Sequence, residues 1–203
     1  QGLVELSSEV HWRDLQLDIE HLYVTSEDLD SRFDVVGFAR FGELLEIDIQ
    51  GEAEALGFTH NQFTLTANGD QQGIDTFTLE LDLPQAGALV TGSLAWAPYL
   101  SWDVQTSINR LDFYEISDVL NGGATVEIVS HGTFDEQLNV YARIDEMRGS
   151  LLGNPLFGQG EVQIDGGSYT ARDLNLRWGD AQLHADGNYS SQRQVSKPPI
   201  RRV

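Results

Sequence analysis

Apolar and polar residues alternate one for one along most of this chain, and a period of two excludes most folds before any motif is considered. Leu45-Glu46-Ile47-Asp48-Ile49 and Phe77-Thr78-Leu79-Glu80-Leu81-Asp82-Leu83 are the clearest runs. Phe63 to Ala67, Val126 to Ile128, Leu138 to Ile144 and Leu174 to Trp178 repeat the pattern. Successive side chains of a strand point to opposite faces, so each run builds a strand with one greasy side and one wet side. Parallel strands buried on both faces are apolar throughout, so this alternation implies an antiparallel or solenoid-like sheet. Helical periodicity is scarce. A short helix over Asp112 to Leu120 and a turn or two over residues 26 to 31 are the only helical expectations.

Turn signals punctuate the runs: Asn68-Gly69-Asp70, Asn121-Gly122-Gly123, Asp165-Gly166-Gly167, Gly179-Asp180 and Asp186-Gly187-Asn188. Gly and Asn tolerate the positive φ of tight turns, and intervals of about 8 to 15 residues suit short strands. Roughly 14 strands at about 4.8 Å each would extend the sheet about 65 Å. The organisation expected is one elongated β-repeat segment over residues 1–189. Residues 190–203 lose the alternation, gain Arg193, Lys197, Arg201 and Arg202, and carry Pro198-Pro199, which cannot donate to a ladder. They are expected to be a disordered tail.

The formal charge is −20, from 32 acidic against 12 basic side chains. Such a field repels phosphate backbones, which argues against nucleic-acid binding. Without cysteine there are no disulfides, thiolate metal sites or cysteine nucleophiles. No stretch reaches the roughly 18 to 20 apolar residues of a membrane-crossing helix.

Catalytic and cofactor motifs are absent: no phosphate-binding glycine loop and no nucleophile elbow. His11, His21, His60, His131 and His184 are scattered, with no two histidines at metal-binding spacing. Carboxylate pairs such as Glu46/Asp48 are inevitable in so acidic a chain and read as a solvated face rather than a glycosidase dyad. Asp70 and Asp165 lie near glycine turns but lack the spacing of a calcium loop. The residues therefore predict no enzyme, no cofactor and no metal site. Trp96, Trp102 and Trp178 could form a sugar-stacking platform or an interfacial belt, but the parity of Trp96 with Leu94, and of Trp178 with Leu176 and Leu174, favours the apolar side.

The run from Gly92-Ser-Leu-Ala-Trp-Ala-Pro98 to Thr106, Gly132-Thr-Phe-Asp135, Met147-Arg-Gly149, Leu152-Gly-Asn-Pro-Leu156 and Tyr169 to Gly187 resembles the repeat cadence of the TamB family. That family is the inner-membrane-anchored subunit of the translocation and assembly module and belongs with the AsmA-like bridge-type lipid transporters. The resemblance covers about half the chain, with residues 1–91 similar only in style. It implies a middle segment of a larger protein: a long sheet curled into an open groove with an apolar concave interior and an acidic exterior. It further implies the periplasm of a Gram-negative bacterium, an inner-membrane anchor outside this chain, phospholipid acyl chains as cargo, and an outer-membrane barrel partner reached through other regions.

Parity assigns the groove lining. Leu45, Ile47, Ile49, Phe63, Leu65, Phe77, Leu79, Leu81, Leu94, Trp96, Val126, Ile128, Leu138, Val140, Ile144, Val162, Ile164, Leu174, Leu176 and Leu183 are expected on one continuous concave surface. The competing readings are an extracellular carbohydrate-binding or adhesin-like β-solenoid, and a glycoside-active enzyme. The direction of the tryptophans separates lipid from sugar: inward beside Leu and Ile, or outward in a row.

Overall fold

The computed structural model describes residues 4–26, 31–55, 58–83, 86–115, 117 and 119–190. Residues 191–203 of the expected tail, and residues 27–30 of the turn expected over 26 to 31, lie outside them. Thirteen strands form a single sheet: β1 (Val4–Arg13), β2 (Gln16–Ser26), β3 (Ser31–Arg40), β4 (Leu44–Ala55), β5 (Phe58–Asp70), β6 (Gly73–Asp82), β7 (Gly87–Ala95), β8 (Leu100–Asp112), β9 (Gly122–Phe134), β10 (Leu138–Leu151), β11 (Asn154–Asp165), β12 (Ser168–Trp178) and β13 (Ala181–Ser190). Every strand pairs antiparallel with its neighbours in sequence, so the sheet is a meander in chain order, with β1 and β13 as its edges.

The strands form where β-branched, aromatic and leucine residues alternate with polar ones, and the turns form where glycine permits. Gly166 and Gly167 take φ of 53° and 96° between β11 and β12, and Gly179 takes 55° between β12 and β13. Three expectations need correction. Asp186-Gly187-Asn188 is not a turn but lies inside β13, and Asn68-Gly69-Asp70 ends β5, with the chain reversing just beyond it. The expected helix over Asp112–Leu120 reduces, in its described part, to one 3₁₀ turn at Phe113–Glu115. The roughly 14 strands are 13.

The sheet is not a flat ladder. β2, β6, β8, β10 and β12 each carry an extra residue relative to their partners. In each case two polar residues stand between apolar ones: Ile19-Glu20-His21-Leu22, Ile74-Asp75-Thr76-Phe77, Ile108-Asn109-Arg110-Leu111, Ile144-Asp145-Glu146-Met147 and Ala171-Arg172-Asp173-Leu174. A bulge bends its strand and increases the local twist while returning the next apolar residue to the same face. Arg110 and Asp173 accept φ of 54° and 47° to do so, and the Asp173 amide donates to Asp186 Oδ1 at 2.8 Å. Across the β2 bulge, Gly37 has φ 142° and pairs with Ile49 so closely that a Cβ would lie 2.7 Å from the Ile49 Cα. Only glycine fits there.

Candidate functional site

Partners facing each other across an antiparallel ladder share a face, so the register traces each face across the sheet. One row runs Ile49, Leu65, Leu79, Val90, Thr106, Ile128, Ile144, Gly160. A second runs Phe63, Leu81, Ala88, Ile108, Val126, Met147, Gly158, Leu176, Leu183. A third runs Leu94, Trp102, Gly132, Val140, Ile164, Tyr169, Tyr189. Leu45 and Ile47 (facing Gly69 and Ala67), Phe77 (also facing Ala67), Leu138 (facing Phe134), Val162 (facing Ala171) and Leu174 (facing Ala185) complete the same face.

Nineteen of the twenty expected lining residues thus lie on one face of one sheet. Trp96 differs. It stands just beyond β7, where its Nε1 donates to the Gln71 carbonyl at 2.9 Å and its amide to that of Gln72, tying one turn to another. Sequence reasoning missed a large share of the face: Leu6, Val10 and Trp12 on β1, Leu17, Ile19, Leu22 and Val24 on β2, Phe33 and Val35 on β3, and Trp102, Val104 and Ile108 on β8. The signal for β2 and β8 was the pair of polar residues between apolar ones that marks each bulge.

Nothing among the described residues covers this face. Strands pack substantially only against their ladder neighbours, and no large side chain among the described residues is fully buried. The accessible surface is 14306 Å², against roughly 9,500 Å² for a compact protein of this mass. What is buried is small or crowded by neighbours on the same face: Ala67 at 2%, Ala39, Ala124, Leu156 and Ile19. Monomers rarely leave more than a few hundred Å² of contiguous apolar surface open, which makes this face the candidate binding surface.

The opposite face is polar and self-satisfied. His11 lies 3.3 Å from Glu20, His21 3.2 Å from Asp34, and His184 2.6 Å from Asp186. Arg40 meets Glu46, Arg143 meets Asp145 and Arg148 meets Glu146. Arg177 covers the outward Phe157 ring at 4.6 Å. Exposed pairs of this kind are worth at most about 1 kcal/mol each, so they keep the face soluble more than they hold the fold. A shallow depression of about 610 Å³ crosses β8 to β11 here, and its one aromatic cluster, His131 on Tyr141, is closed by the rings stacking on each other at 4.7 Å. Partial burial, helped by the neighbouring Glu161 carboxylate, raises the Tyr141 phenol above its ordinary pKa.

The tryptophans decide between two chemistries. Trp12, Trp102 and Trp178 all sit on the apolar face, opposite Leu17, Leu94 and Leu156. No row of tryptophans exists on the polar face among the described residues, which leaves a sugar platform without its stacking surface. No helix among the described residues is long and apolar enough to cross a membrane.

Comparison with known proteins agrees with this geometry. A family model described as TamB, N-terminal domain, matches residues 3–196, taking in residues 3–91, whose likeness was expected to be one of style only. No curated protein and no solved structure matches the chain.

Proposed function

The chain belongs to the TamB family, and from that membership we propose that its apolar face shields lipid acyl chains from water during transport between the inner and outer membranes of a Gram-negative cell. The role is non-catalytic: the protein supplies a surface, and the cargo covers it. One observation carries this reading, the continuous apolar face that no second layer among the described residues covers. Covering a Leu, Ile or Phe side chain stabilises by about 1.5 to 3 kcal/mol, so a face with this many of them favours an apolar occupant over water. The 12 spacings between 13 strands extend the face to roughly 58 Å, long enough for several lipids in file. On this reading the parent protein is anchored in the inner membrane and crosses the periplasm, and an outer-membrane barrel engages it through regions beyond these residues.

A second reading, assistance in assembling outer-membrane proteins, is favoured by the outer backbone of β1 and β13, which no strand among the described residues pairs and where an extended client strand could add to the ladder. A photo-crosslinker tests the first. At Leu79 or Ile128 it should capture phospholipid, and at the adjacent Glu80 or Glu127 it should not. Equal capture from both parities would overturn lipid shielding, and capture of protein alone at β1 would favour the second reading.

A further inference from the structure

Among the described residues, one buried side-chain polar atom lacks any hydrogen-bond partner: Asn61 Oδ1. Asn61 is only 8% exposed and faces Ala53 across the ladder, which puts it on the apolar face with Phe63 next along the strand. Native proteins satisfy nearly all such groups, and leaving an acceptor unpaired costs about 1 to 3 kcal/mol. Other polar side chains on this face have partners: Ser130 accepts from Trp102 Nε1 at 3.2 Å, and the exposed Asn154 donates to the Leu152 carbonyl at 3.3 Å. Among the described residues, Asn61 alone keeps a buried amide oxygen without a partner.

Its place in the sheet matters as much as its chemistry. Asn61 stands near the start of β5, at the margin where β4 and β6 end, while Phe63, Leu65, Leu79 and Leu81 occupy the interior of the face beside it. An amphiphile lying on this face would put its tails along that interior and its polar end at the margin. Resting on the lipid reading above, we propose that Asn61 is a specificity residue that accepts a hydrogen bond from the headgroup of the bound lipid. The preferred headgroup therefore bears an N–H or O–H donor, and lipids are held with their polar ends toward the β4–β5 margin. Rotation about the broad χ2 torsion of the amide presents the oxygen to the ligand.

The test incubates the 203-residue chain with vesicles of equimolar phosphatidylethanolamine and phosphatidylcholine, and the bound lipids are then counted by mass spectrometry. The ammonium of the first is a donor, while the trimethylammonium of the second is not. The expected result is roughly tenfold enrichment of phosphatidylethanolamine, the worth of one hydrogen bond to a charged group. The N,N-dimethyl derivative, which retains one N–H, should stay enriched. Asn61→Leu should bind the two lipids equally, phosphatidylethanolamine having lost its roughly tenfold advantage, with Tm equal or higher, because a buried unpaired amide oxygen has been removed. Equal binding by the natural chain would overturn the headgroup role and leave lipid shielding standing. No bound lipid of either kind would overturn both. A Tm lowered by Asn61→Leu, or a preference that survives it, would show that the amide serves the fold or nothing at all.

Discussion

The indole of Trp102 on β8 lies over Gly132 on β9, where a Cβ would run into the Cζ2 and Cη2 ring atoms, while its Nε1 donates to Ser130 Oγ. The glycine is the floor on which the aromatic ring lies flat, and the pair shows how the apolar face is filled without a second layer.

Gly132→Val should therefore push Trp102 off its partner strand. The expected loss is about 1 to 3 kcal/mol of stability from overpacking, with a red-shifted tryptophan emission. Gly132→Ala should give a smaller loss in the same direction. Thermal denaturation followed by fluorescence checks both, and an unchanged midpoint for the valine variant would contradict the contact.

Leu79→Asp places a charge in the middle of the second-longest apolar row, beside Leu65 and Val90. Lipid captured by a crosslinker at Ile128 should fall by something on the order of tenfold, since an unpaired carboxylate is costly against acyl chains. Glu80→Gln, on the other face, should leave capture unchanged.

Brominated acyl chains should quench the emission of Trp12, Trp102 and Trp178, which share the apolar face, but not that of Trp96, which is engaged at a turn. Single-tryptophan variants read this directly. Quenching confined to Trp96 would place the lipid elsewhere.

Tyr141 sets a pH signature on the polar face. Its raised pKa favours the neutral phenol in the folded chain, so its contribution to stability is complete below the ordinary tyrosine value near 10 and is lost as pH rises through the higher folded value. Glu161→Gln removes the neighbouring carboxylate and should bring the phenol's titration down, as read by the difference in ultraviolet absorbance between the natural chain and Tyr141→Phe.

Where the period of two ran unbroken, the face was legible in the sequence. Leu45-Ile47-Ile49 and Phe77-Leu79-Leu81 needed no structure to be placed together. The period failed where a bulge shifts it, because Ile19 and Leu22, or Ile108 and Leu111, are three apart yet share a face. Simple parity assigns such a pair to opposite sides. Asp186-Gly187-Asn188 misled for a related reason: it has turn composition, but Asp186 serves the β12 bulge as an acceptor within a continuous strand. Asn61 was invisible, since an asparagine beside alternating residues reads as a turn or surface position. Only the register, which sets it against Ala53, reveals which way it faces.

The strict chain-order meander makes span and bore separable quantities. Strand length fixes how wide the face is, and strand number fixes how far it reaches, because among the described residues strands pack substantially only against their neighbours in sequence. Duplicating or deleting one hairpin would lengthen or shorten the sheet by about 9.6 Å while leaving every other pairing, and the identity of its two faces, as they were. Such a sheet can be tailored to a distance by whole hairpins, as a ladder is cut to height by its rungs.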